Sequence, residues 1–113
     1  MERDFLLKLA KAYQTYEVSI IEDCLADDMH YASMWVFLEM TSKKEYLDYL
    51  SAKLKTLKAH DVYMEFEIVR GGIHKHALLV SNQQAPEGPI GFVVDFNDEG
   101  KVRMLNITSS AFF

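Results

Sequence analysis

Four β-like segments follow one another in the second half of this 113-residue chain. Val62 to Arg70, His74 to Asn82, Pro89 to Asn97 and Lys101 to Ser109 are short runs rich in β-branched and aromatic residues, bounded by turn formers. Gly71-Gly72 and Asp98-Glu99-Gly100 predict hairpin turns, and Gln83 to Gly88 a longer connection. Four such strands in succession make an antiparallel meander, whose apolar face must be covered by something else. The first half supplies the cover. Phe5, Leu6, Leu9, Ala12, Tyr13 and Tyr16 recur at helical spacing, with Lys8, Lys11 and Gln14 between them. A break near Tyr16 to Val18, where aromatic and β-branched residues cluster, separates this helix from a shorter one carrying Ile20, Ile21, Cys24 and Leu25. Beyond Asp27-Asp28, Met29 to Leu38 predicts one or two strands. Thr41-Ser42-Lys43-Lys44-Glu45 has the form of a capping box with Ser42 as the cap. It starts a third helix striped by Tyr46, Leu47, Leu50, Leu54 and Leu57, which ends around Ala59-His60. Lys53, Lys55 and Lys58 put positive charge near its C-terminal end, where the helix dipole favours it. The expected class is α+β, one domain with helices on one face of a sheet.

Twelve Lys and Arg against seventeen Asp and Glu leave a net charge of −5, which disfavours a phosphate-tracking groove and hence nucleic acid. The apolar residues are dispersed, with no run of about 18 or more, and the charged start Met1-Glu2-Arg3-Asp4 has no apolar core behind it. A soluble cytoplasmic protein without membrane partners is expected. The lone Cys24 falls on the apolar face of the second helix, where a thiol packs as a small hydrophobe.

Leu25-Ala26-Asp27-Asp28-Met29-His30-Tyr31 resembles the helix-to-strand junction of the nuclear transport factor 2-like superfamily, and Phe96-Asn97-Asp98-Glu99-Gly100-Lys101-Val102 resembles its last hairpin. That superfamily includes ketosteroid isomerases, SnoaL-type cyclases, limonene epoxide hydrolases and the β-subunits of ring-hydroxylating dioxygenases. The resemblance implies a cone, in which a curved antiparallel sheet wraps around three helices and opens into a largely apolar pocket. Aligned with ketosteroid isomerases at these two motifs, the general-base aspartate falls on Ser33, the hydrogen-bonding tyrosine on Leu9 and the protonated aspartate on Phe92. None of these side chains can replace its counterpart, so isomerisation by that route is disfavoured.

The same registers imply which side chains face inward. Met29, Tyr31, Ser33 and Trp35 share one side of a strand and His30 the other. Met64, Phe66, Ile68, Phe92, Val94, Leu105 and Ile107 complete the inner surface, with Glu65 and Glu67 outside. The expected ligand pocket therefore comprises Tyr13, Tyr31, Ser33, Trp35, Met64, Phe66, Phe92 and Leu105. Arg103, with the parity of Leu105, is the rim cation that an acidic ligand would meet.

His74-Lys75-His76 puts two imidazoles on one strand face, too few for a zinc site without a third ligand, so no metal or other cofactor is expected. His76, beside Ala77 to Val80, is the weak candidate for a pocket base. Asp27-Asp28 reads as turn chemistry, since adjacent residues point apart. The Tyr13-Tyr16 pair and Trp35 suit a small core as well as a ligand. Gly71-Gly72 lacks the following Lys and helix of a phosphate loop.

Three functions follow. The first is a protein that binds a small apolar or aromatic molecule, with catalysis not required. The second is a lyase, cyclase or hydrolase of the SnoaL-like type, using His76 and a tyrosine. The third is a structural or dimerisation module like the dioxygenase β-subunits, pairing as a homodimer through an outer sheet face where Tyr63, Met104 and Phe112-Phe113 expose apolar area.

Overall fold

The computed structural model describes residues 2–34, 36–70, 75–85, 88–110 and 113, with backbone alone for 36–38 and 83–85. Trp35, Gly71-Gly72, His74 and Phe112 lie outside the described residues. The elements in chain order are helices α1 (Glu2–Thr15) and α2 (Ser19–Glu22), strands β1 (Leu25–Ser33) and β2 (Val36–Met40), helix α3 (Lys43–Ala59), and strands β3 (Phe66–Arg70), β4 (His76–Ala85), β5 (Gly88–Phe96) and β6 (Val102–Ser109).

Both long helices end in the same way, and neither uses glycine. Tyr16 (φ 58°) and Asp61 (φ 55°) take the left-handed conformation just past α1 and α3. The following amides turn back, Glu17 N–H to Ala12 O (2.9 Å) and Val62 N–H to Leu57 O (2.9 Å), so each closes a Schellman-type cap. A side chain in this region costs roughly 1–2 kcal/mol. For Tyr16 an anchor offsets it, because its hydroxyl donates to Val62 O at 2.7 Å and ties the end of α1 to the end of α3. The expected capping box is present at the start of α3: Ser42 is extended, and its Oγ accepts Glu45 N–H at 3.1 Å. The Ser42 hydroxyl also lies 3.3 Å from Glu45 Oε1.

The strands form one six-stranded sheet in the order β2-β1-β6-β5-β4-β3. The α+β layering is as expected, but the sheet is mixed rather than wholly antiparallel, since β1 runs parallel to β6 with Tyr31 opposite Leu105 and Ser33 opposite Ile107. This pairing joins segments separated by α3 and the whole meander, so no local turn signal could announce it. Strand β1 starts at Leu25, earlier than the sequence predicts, and Asp27 and Asp28 lie within it. Two consecutive exposed residues break the strand alternation, and the register with β6 shifts between Leu25 and His30, the mark of a bulge. Strand β3 starts later than expected, at Phe66. Before it, the Asn82 side chain accepts Glu65 N–H (3.0 Å) and donates to Tyr63 O (2.9 Å). The β5–β6 turn is built on Asn97, whose Oδ1 accepts the amides of Glu99 (2.9 Å) and Lys101 (3.0 Å) while Gly100 supplies φ 76°.

Helices α1 and α3 cover one face of the sheet, α1 against β3 to β5 and α3 against β1. The core lies between them and contains Phe5, Leu6, Leu9, Tyr13, Met29, Tyr31, Tyr46, Leu50, Leu78, Phe92 and Leu105. On the other face Phe113 forms a satellite cluster with Ala77 and Val93. The expectation of a bare outer surface is corrected there, because Phe113 is buried against the sheet and Met104 is half-buried; Tyr63 is exposed but precedes β3. The end of the chain finds room on this face because Gly91 lacks a Cβ. Among the described residues no helix is long and apolar enough to cross a membrane.

Candidate functional site

Two helices and one strand bring tyrosines together on the inner face of the sheet. Tyr13 on α1 packs its ring 5.7 Å from Phe66 and 5.6 Å from Phe92. Tyr31 on β1 lies 4.8 Å from Tyr46 and 5.5 Å from Tyr49, both on α3. The amphipathic period of α3 explains their meeting: Tyr46, Tyr49 and Lys53 stand at i, i+3 and i+7, one side of the helix. Lys53 carries its ammonium over the rings, 5.9 Å from the centre of Tyr13 and 5.7 Å from that of Tyr49.

The hydroxyls are the unusual part. Tyr13 is 2% exposed and Tyr46 0%, yet among the described residues neither phenol oxygen has a hydrogen-bond partner. Burial raises the pKa of both well above the ordinary value of 10.0, and the neighbouring phenols raise them further. Tyr31 shifts the same way, from burial first, then from the phenols of Tyr13 and Tyr49 and its hydrogen bond to Tyr49. No carboxylate or imidazole enters these shifts. The cluster therefore offers neutral hydrogen-bond donors in an apolar setting.

Of the residues assigned to a pocket from sequence, Tyr13, Tyr31, Met64, Phe92 and Leu105 are buried in the inner core, and Phe66 packs against it. Ser33 is half-buried at the end of β1, where it borders a cavity of about 280 Å³ lined also by Ala32, Val93 and Asn106 of the outer face and by Met34, Ile107 and Thr108. Trp35 lies outside the described residues. Arg103 is exposed, and the cation at the tyrosines is Lys53 instead. In the sequence Tyr46 belongs to the apolar stripe of α3 and Lys53 to the charge at its C-terminal end, while nothing singles out Tyr49. Their shared helical face was the signal available.

His76 shares the strand parity of Leu78 and Val80 but sits at the other end of α1. Its backbone N–H donates to Glu2 Oε1 at 3.0 Å, and its Nδ1 lies 3.4 Å from the same oxygen. At 1.5 Å per residue, Glu2 is roughly 16 Å along the helix from Tyr13. His76 lines a separate cleft of about 410 Å³ with Arg3, Ile68, Val69, Arg70 and Lys75. His30 faces outward, its Nδ1 2.7 Å from Glu39 Oε1. Among the described residues no group of three or more His, Cys, Asp or Glu is placed to hold a metal ion. Cys24 is half-buried against the core.

No protein-family profile and no curated protein matches the chain by sequence. Solved structures match its shape. A SnoaL-like protein of unknown function from Burkholderia thailandensis is similar with TM-score 0.69 and 15% identity, over 94% of this chain and 91% of that one. An uncharacterised protein with a cystatin-like fold from Silicibacter pomeroyi is similar with TM-score 0.58 and 15% identity, over 92% and 72% of the two chains. A steroid delta-isomerase from Pseudomonas aeruginosa gives TM-score 0.56 and 12% identity, over 94% and 77%. Identities this low speak for the fold alone. With its helix-covered six-stranded sheet and these structural matches, the chain has the fold of the nuclear transport factor 2-like superfamily.

Proposed function

We propose that this protein binds a small, largely apolar or aromatic molecule on the inner face of the sheet, and that Tyr13 and Tyr46 hold it by hydrogen bonds to an acceptor oxygen. The observation that carries this reading is the pair of buried phenol hydroxyls that have no hydrogen-bond partner among the described residues. A buried hydroxyl left unpaired costs about 1–3 kcal/mol, so two of them on two helices are an expense that a ligand acceptor would recover. Tyr31, Met64, Phe66, Phe92 and Leu105 are the apolar lining of this reading, with Ser33 toward the end of β1. Binding is favoured over catalysis because the cluster holds donors and no base: the position of the isomerase aspartate is Ser33, and His76 belongs to the cleft beside Glu2. The similarity to a steroid isomerase and a SnoaL-like protein supports a ligand-binding cone without naming its occupant.

The test is native mass spectrometry of the purified protein, followed by extraction of any retained molecule. We expect a neutral or weakly acidic organic compound in the wild type, lost in the Tyr13→Phe/Tyr46→Phe double variant. Retention unchanged by the double variant would remove the tyrosines from the site. We also propose a cytoplasmic homodimer, formed through the part of the outer face that Phe113 leaves uncovered around Ala32, Met104 and Asn106, which adjoin across β1 and β6. Light scattering at micromolar concentration tests it, and a monomer throughout refutes it.

A further inference from the structure

Lys53 stands apart from the other lysines of α3. Lys44 pairs with Asp48 at 3.0 Å on the helix surface. The residues three and four positions from Lys53 are Tyr49, Leu50, Thr56 and Leu57, so the helix offers it no carboxylate, and among the described residues it enters no ion pair. It is half-buried, and its ammonium is turned onto the rings of Tyr13 and Tyr49. Ring faces compensate only part of the hydration that such a group gives up. The result is a single positive charge at the edge of a cluster of neutral donors, in a protein whose net charge is −5.

We propose that Lys53 selects for an organic acid: the carboxylate of the ligand pairs with the Lys53 ammonium, while its apolar body lies against the tyrosine rings and an acceptor oxygen meets the Tyr13 or Tyr46 hydroxyl. This rests on the binding reading above and narrows its ligand class. A net-negative protein repels anions at long range, so preference for one requires a local cation. The expected exposed alternative, Arg103, stands on β6 without a ring contact among the described residues. If Lys53 served only to cover the rings by cation–π contact, the site would not distinguish an acid from its amide.

The experiment titrates benzoate and benzamide, two probes of nearly equal shape, into the full chain and follows both by NMR. In the wild type benzoate is expected to bind at least about tenfold tighter, a ratio within reach of one charge-assisted hydrogen bond. Lys53→Met keeps the stem and should abolish that preference; Lys53→Arg should restore it, and Arg103→Gln should keep it. Equal binding of the two probes by the wild type overturns the proposal without any variant, and so does a preference that survives in folded Lys53→Met. In those cases the tyrosine reading stands if Tyr13→Phe weakens both probes. Binding of neither probe by the wild type overturns both readings.

Discussion

The rings of Tyr31 and Tyr46 lie 4.8 Å apart and are tilted by 34°, one carried by β1 and the other by α3. This contact seats the third helix on the sheet, and the Tyr46 hydroxyl is wholly buried without a partner among the described residues. Removing that oxygen should relieve its desolvation cost while keeping the ring. Tyr46→Phe, and separately Tyr13→Phe, are expected to stabilise the ligand-free protein by about 1 kcal/mol each. Urea unfolding measures this, and a loss of similar size would mean that the hydroxyls have structural partners.

Alkaline pH should unfold the protein earlier than its charge alone suggests. Tyr13, Tyr31 and Tyr46 have pKa values raised above 10.0 in the folded state, by burial first and neighbouring phenols second. Their protonated forms thus favour folding, and the stability they contribute is fully present below pH 10 and is lost as pH rises above it. Each group still protonated in the folded state and ionised in the unfolded one removes about 1.4 kcal/mol per pH unit, so the three remove roughly 4. Denaturant midpoints between pH 9 and 11 should fall, with tyrosinate absorbance emerging together with unfolding. Tyrosinate forming in a chain that is still folded would contradict these shifts.

Gly91 should tolerate no side chain. A Cβ there would stand 2.5 Å from the Leu78 carbonyl oxygen and 2.5 Å from Phe113 Cζ. Phe113 could swing away, but the Leu78 backbone is paired within the sheet. Gly91→Ala is expected to cost about 1–3 kcal/mol through this overpacking. Phe113→Ala in the same background separates the two clashes, and full rescue by it would put the strain on Phe113 alone.

The caps of α3 can be read independently of the core. Ser42→Ala removes the acceptor for Glu45 N–H and is expected to cost about 1 kcal/mol. Tyr16→Phe, which removes the donor to Val62 O, should cost a similar amount and act on both helices. Thermal unfolding of the two variants and their double variant gives additive losses if the two ends act separately.

Local order was legible in the sequence because it depends on near neighbours. The amphipathic spacing of α1, the Ser42 cap, the turn before Lys101 and the four β-like runs of the second half are set by residues within a few positions of each other, and the chain adopts them close to where they are expected. The segments Leu25 to Tyr31 and Phe96 to Val102 also indicate the superfamily fold. What required the tertiary structure is whatever joins distant segments. The parallel pairing of β1 with β6 spans more than half the chain, and Phe113 reaches the outer face only because β5 presents a glycine there. The cluster of Tyr13, Tyr31, Tyr46 and Tyr49 under Lys53 draws on two helices and a strand. A helical period shows which side of α3 carries Tyr46, Tyr49 and Lys53. Only packing decides that this side meets Tyr13 and Tyr31, because the angle between helix and sheet depends on all the side chains between them.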